Sequence, residues 1–169
     1  MLPKILKDFN LFGDGNNWQG QIKSVSVPEI ARKVMEYRGG GMPGAIEVDQ
    51  GQEIITCEWN PGGLLPELFD TYGAPRHDAA MLRFVGSYET EDTGEILPVE
   101  IVMRGRHKTI GMGDAESGED NEPSVTTTAS YYKLTINGAV KIEYDAVRAI
   151  FIVNGDDRLA QRRSALGLA

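Results

Sequence analysis

Apolar and polar positions alternate most clearly in the second half of the chain. Across residues 96–110, Val99, Ile101 and Met103 fall on one side, and Glu100, Val102, Arg104, Arg106 and Lys108 on the other. A period of two is the pattern of a half-buried strand. Residues 81–90 lead into this strand through Glu91-Asp-Thr-Gly-Glu95, a hairpin turn signal. Residues 124–136 are rich in β-branched and aromatic side chains, and Asn137-Gly138 follows as a tight turn in which both residues accept positive φ. Val140, Ile142 and Tyr144 then alternate with Lys141, Glu143 and Asp145, and residues 149–153 predict a buried strand.

The first half is less regular. Residues 9–12 predict a short strand, Gly13-Asp-Gly-Asn-Asn17 a turn, and residues 18–27 a returning strand, so the opening reads as a hairpin. Residues 28–37 suit helix by composition and strand by alternation, with neither period dominant. Arg38-Gly-Gly-Gly-Met-Pro-Gly-Ala45 is a glycine-rich loop whose one large apolar side chain is Met42. It is either a plain flexible connection or a segment that orders against a partner through Met42. Residues 53–59 predict a strand, broken by Pro61-Gly-Gly63. Leu65, Leu68, Phe69 and Tyr72 share one helical face, which predicts a short internal helix stopped by Gly73. A terminal helix over residues 156–166 is predicted from an aspartate cap, late arginines and Gly167. The fold class is therefore mainly β (α+β): an antiparallel sheet long enough to curl into a barrel or curved sandwich, with one internal and one short C-terminal helix. The 169 residues suit one domain, residues 1–169.

Composition narrows the function. Cys57 is the only cysteine, so no disulfide framework forms within the chain, and its strand context reads as a buried small hydrophobe. No leader-like or membrane-spanning apolar run is present, so a cytoplasmic origin without a membrane anchor is expected. The net charge of −8 repels a nucleic-acid backbone over most of the surface, yet suits a conduit that must not grip DNA. His77 and His107 have no metal-ligand spacing to each other or to Cys57. No nucleophile elbow occurs, and neither Gly39-Gly-Gly41 nor Gly111-Met-Gly113 leads into the lysine of a phosphate loop. No catalytic residues, metal site or cofactor are expected.

Two charged features remain. Arg104, Arg106 and Lys108 line one strand face; they form a nucleic-acid patch, a solvated face or a source of ion pairs. Gly113–Pro123 carries Asp114, Glu116, Glu119, Asp120 and Glu122 without a compensating base, five of the net eight negative charges. It reads as a solubilising loop or as the partner of the basic strand end of a neighbouring copy, where such pairs set register more than affinity.

Several blocks together resemble one family. Arg83-Phe-Val-Gly-Ser-Tyr88, Asp92-Thr-Gly-Glu95 and Val99-Glu-Ile-Val-Met-Arg-Gly-Arg-His-Lys108 are similar to the core of the major tail tube proteins of contractile-tailed phages and R-type tailocins. Glu36-Tyr-Arg-Gly-Gly-Gly-Met42, Val153-Asn-Gly-Asp-Asp-Arg-Leu159 and Gly167-Leu168 match too, while residues 51–80 resemble the family less. The resemblance tips residues 28–37 to strand. It implies a tail-tube β-barrel or curved sandwich, six copies per ring, and rings stacked into a tube inside a contractile sheath. It implies tail sheath, tape measure, baseplate and tail terminator proteins as partners. Double-stranded DNA would pass through the lumen without specific binding, or a DNA-less particle would perforate an envelope. The expected location is the virion tail, assembled in the host bacterial cytoplasm. The ring-stacking loop would be Tyr37, Arg38, Gly39, Gly40, Gly41 and Met42. The competing reading is a monomeric β-barrel ligand-binding module, which needs an aromatic platform; Trp18 and Trp59 lie in separate predicted strands with no aromatic cluster on one face.

Overall fold

The computed structural model describes residues 1–168. In chain order its strands are β1 (Lys4–Gly13), β2 (Asn16–Asn17), β3 (Ile22–Ser26), β4 (Arg32–Tyr37), β5 (Ile46–Gln52) and β6 (Ile55–Pro61). After a 3-10 helix (Pro66–Thr71) come β7 (Ala80–Thr90), β8 (Ile96–Gly111), β9 (Ser124–Ile136), β10 (Ala139–Asp145), β11 (Ile150–Val153) and β12 (Asp156–Asp157), and then α1 (Ala160–Ala165). The main sheet is antiparallel in the order β12-β11-β10-β9-β8-β7-β1-β2. From β9 it also branches to β6, which carries β3.

The branch has a local cause. Residues 125–129 of β9 pair with β6, and residues 131–136 pair with β10 on the same edge. Between them the β8–β9 register slips at Arg104/Gly105, so Ser130 is an extra residue. A bulge bends its strand and sharpens the twist, and here the two halves of β9 aim at different partners. The Ser130 hydroxyl donates to the Arg104 carbonyl at 3.3 Å and lies 2.9 Å from His77 Nδ1. Gly105 sits at the bend, where a Cβ would lie 1.8 Å from the Thr128 carbonyl oxygen. Only glycine permits that approach.

The bend lets β6, β3 and the 3-10 helix close over β1, β7 and β8 as a curved sandwich. Between the layers lie Leu11, Ile55, Trp59, Leu68, Leu82, Phe84, Ile101, Met103 and Tyr132. The sheet stays open, so the curved-sandwich form of the expectation holds and a closed barrel does not. In β6 the burial alternates without a break, with Ile55, Cys57, Trp59 and Pro61 inward. Cys57 is fully buried, and burial pushes its thiol up to about 12, as expected of a packing residue. In β8, Val99, Ile101 and Met103 are buried and Arg104, Arg106 and Lys108 exposed, as the alternation predicts.

Four expectations need correction. The opening hairpin is only two pairs deep. After β2 the chain turns inward so that Trp18 is buried against Gly13, and β3 pairs with β6 instead. The internal helix is a 3-10 helix, and only half its stripe is core: Leu65 and Leu68 are buried, whereas Phe69 and Tyr72 are exposed. The predicted buried strand at 149–153 is half-buried along β11. The terminal helix starts at Ala160, because Asn154-Gly155, both at positive φ, makes a second tight hairpin that places Asp156 and Asp157 in β12. No aspartate caps that helix; Asp157 is paired with Arg163, which lowers the carboxyl below its ordinary range. The C-terminal stop is as predicted: Gly167 at φ +74, with Leu168 N–H donating to the Arg163 carbonyl at 2.8 Å.

Candidate assembly interface

The strands β4 and β5 form a sheet of their own and, among the described residues, pair with no other strand. Sequence reading assigns no element to residues 46–52; the partner strand is what organises them. Register sorts the side chains. Met35 faces Val48 and Tyr37 faces Ile46, which makes one apolar face. Glu36 faces Glu47 and Val34 faces Asp49, which makes a polar face. On the apolar face Met35 is 49% exposed, Tyr37 51% and Ile46 54%. The base is held by Arg32, which pairs with Asp49 at 2.9 Å and lies over the Phe151 ring at 5.0 Å. A two-stranded hairpin is marginal in water, and this arm exposes apolar surface that its own chain does not cover.

The predicted glycine loop is the tip of the arm. Met42 N–H donates to the Gly39 carbonyl at 3.2 Å, Arg38 Nε donates to the Met42 carbonyl at 3.3 Å, and Gly39 N–H points at Met42 Sδ. A Cβ on Gly39 would lie 2.9 Å from the Tyr37 hydroxyl. Gly40 has open space around it, and Gly41 adopts φ +84. The tip thus has a defined conformation with Met42 folded back over Gly39.

The charged residues are placed at one end of the β8–β9 hairpin. Arg104, Arg106 and Lys108 point outward from β8, and Asp114, Glu116, Glu119, Asp120 and Glu122 lie on the loop joining β8 to β9. Among the described residues the three bases make no ion pair. Asp120 pairs with Lys23 of β3 at 3.2 Å, which holds its carboxyl below the ordinary range after the larger pull of the Glu122 amide. The protomer therefore does not join the basic strand end to the acidic loop.

Two concavities went unread in the sequence because distant elements build them. Arg104 lines one of about 300 Å³ with His77, Asp78, Tyr131, Asp145 and Arg148. Its arginines and aspartates nearly cancel, so it selects no simple ion. The other, about 200 Å³, is an apolar groove of Leu64, Leu65, Leu68, Phe69, Ile110 and Met112. The two tryptophans do come together, stacked 5.3 Å apart, but Trp18 and Trp59 are 2% and 1% exposed. They are core and offer no ligand platform. No cluster of potential metal ligands occurs among the described residues.

Comparison with known sequences covers nearly the full chain. The sequence model of the family described as phage tail tube protein FII matches residues 3–167. The tail tube protein of Escherichia phage P2 is 42% identical over 170 residues, covering 99% of each chain. The major tail tube protein of Serratia phage KSP20 is 37% identical, covering 99% of this chain and 98% of the relative. In fold, the chain is similar to a chain of the PVC sheath/tube terminator of an extracellular contractile injection system, with a TM-score of 0.57 at 14% identity over 80% of this chain and 98% of that one. A chain of the PVC sheath–tube complex gives 0.54 at 14% identity over 75% and 87%.

Proposed function

We propose, for a chain that belongs to the phage tail tube protein FII family, that six copies close into a ring and that rings stack through the tip of the β4–β5 arm. The protein is a structural tail tube protein of a contractile tail, a component of the virion tail and not an enzyme. The observation that carries this is the end-to-end match to tail tube proteins of two phages.

The finer reading takes residues 1–169 as one tube domain. The outer edge of β1 supports ring closure: β2 covers only Phe12 and Gly13, so residues 4–10 present backbone groups without a strand partner among the described residues. A closed ring removes such edges. Tyr37, Arg38, Gly39, Gly40, Gly41 and Met42 stack against the next ring, supported by the exposed position of the tip. Arg104, Arg106 and Lys108 of one copy meet Asp114, Glu116, Glu119, Asp120 and Glu122 of another, supported by the absence of such pairs within the described protomer. Tail sheath, tape measure, baseplate and tail terminator proteins are the partners, and assembly takes place in the host cytoplasm. Double-stranded DNA passes through the lumen without specific binding, in keeping with the net charge of −8.

The test is negative-stain microscopy of the chain and of a variant lacking Gly39–Met42. Rings and tubes are expected from the parent and rings without stacking from the variant. Tubes of normal length from the variant overturn the role of the tip, and a parent that yields only ligand-binding monomers overturns the whole reading.

A further inference from the structure

The arm's apolar face and the apolar groove are both uncovered in the protomer, and they are complementary. The face carries Met35, Tyr37, Ile46 and Val48, with Met42 at its end. Lys33, in step with Met35 and Tyr37 along β4, gives it positive charge, and Arg38 adds a second at the tip, where its Nε donates to the Met42 carbonyl; neither makes an ion pair among the described residues. The arm's own acids Glu36, Glu47 and Asp49 belong to the opposite face. The groove exposes Leu64 (65%), Phe69 (43%) and Met112 (55%). Asn121 of the acidic loop lines it and donates to the Met112 carbonyl at 2.7 Å, which fixes Asp120 and Glu122 at its rim.

The two surfaces belong to different parts of the protomer. Arg32 anchors the arm at Phe151, which faces Tyr144 and through it Tyr132 of β9. The groove is lined by Val125 of the same strand. The Ser130 bulge lies between these two points of β9, so the base of the arm and the groove belong to its two differently aimed halves. Two different, complementary patches of one molecule make a head-to-tail contact between copies, which propagates from copy to copy as a ring or a stack.

We propose that the apolar face of the β4–β5 arm of one copy docks in the groove between the 3-10 helix and the acidic loop of a second copy, with Lys33 and Arg38 set against Glu119, Asp120 and Glu122. The inference rests on the stacking role of the tip and adds the surface that receives it. Apolar contact supplies the attraction, and the flanking charges set the register. The acidic loop thereby serves the arm as well as the basic end of β8.

The test uses full-length chains in cells that make complete tails. Copies carrying Met35→Cys are co-produced with copies carrying Phe69→Cys, and copies with Met42→Cys with copies carrying Met112→Cys. All four positions lie outside the buried core, and Cys57 is too buried to compete. Tubes from either mixture are expected to show a disulfide-linked dimer on a non-reducing gel, absent when each variant assembles alone. Lys33→Glu with Arg38→Glu is expected to lower tube yield at least tenfold, more at low salt than at high. Tubes with no cross-link in either mixture and an unchanged yield from the charge variant overturn the proposal. If those results accompany loss of stacking on deleting Gly39–Met42, the tip docks elsewhere and only this inference fails. Normal tubes from the deletion overturn both.

Discussion

Replacing Thr127 by valine removes one oxygen from the core and leaves its shape. That oxygen is shared. Trp59 Nε1 donates to it at 3.1 Å, and His107 Nδ1 lies 2.9 Å from it. Thr127, Trp59 and His107 are 1%, 1% and 3% exposed, so water cannot substitute. Valine strands the indole N–H, and it leaves the imidazole without any partner, because Nε2 already has none. A buried polar group left unsatisfied costs about 1–3 kcal/mol, so two in contact should cost roughly 2–5 kcal/mol. Against a typical domain stability of about 5–15 kcal/mol this is a large share. At about 2–4 °C per kcal/mol for a chain of this size, the melting temperature should fall by roughly 5–15 °C. Urea unfolding of unassembled protein, followed by tryptophan fluorescence, reads the effect directly. Thr127→Ser keeps the hydroxyl and should cost only about 1 kcal/mol through the lost methyl group. A Thr127→Val midpoint within about 0.5 kcal/mol of the parent would refute the reasoning, as would serine matching valine in harm.

Three further outcomes follow from the same interior. Burial holds the His107 imidazole below its ordinary 6.5, with a weaker opposing pull from Asp14. The neutral form is therefore favoured in the folded state: its contribution is complete above pH 6.5 and declines as pH falls from 6.5 toward the depressed folded value. Urea midpoints at pH 7.5 and 5.0 should accordingly differ less in His107→Leu than in the parent; an equal difference would assign the acid sensitivity to other groups. Gly105→Ala drives a Cβ to 1.8 Å from the Thr128 carbonyl and should cost about 3 kcal/mol or more, read as lost soluble yield, whereas Gly138→Ala meets open space and pays only for its φ of +80, about 1–2 kcal/mol. Cys57 should resist thiol reagents at pH 8 in the folded protein and react at once in denaturant, since burial pushes its thiol up to about 12; prompt labelling without denaturant would show that the β6 region opens.

Much of this protein is legible in one dimension. Alternation in β8 assigns strand and inward face together, because a pleated strand repeats every two residues whatever its partner; in β10 it marks the strand but not the burial, since Val140 is exposed and Glu143 half-buried. Asn137-Gly138 marks its hairpin because both residues take positive φ. Asn154-Gly155 carries the same signal, yet the acids and arginines after it also suit a helix start and end, so the sequence predicts a helix from Asp156 where the structure has β12. The glycine tip around Met42 and the two charged segments were visible as exposed, unusual stretches, although composition alone could not say what they meet.

What composition and spacing left open was pairing. Nothing local says that β9 changes partner at Ser130, because the bulge exists only opposite Gly105 of another strand. Nothing local makes the arm amphipathic: residues 28–37 favour no period, and the apolar face appears only when register sets Met35 against Val48 and Tyr37 against Ile46. The stacked Trp18 and Trp59 come from separate segments and meet in the core, and the groove draws on the 3-10 helix, β8 and β9 at once. Secondary structure follows from short-range sterics and periodicity, which a sequence records residue by residue. Partner, register and the surfaces left uncovered depend on contacts between residues far apart in the chain, and only the folded arrangement decides those.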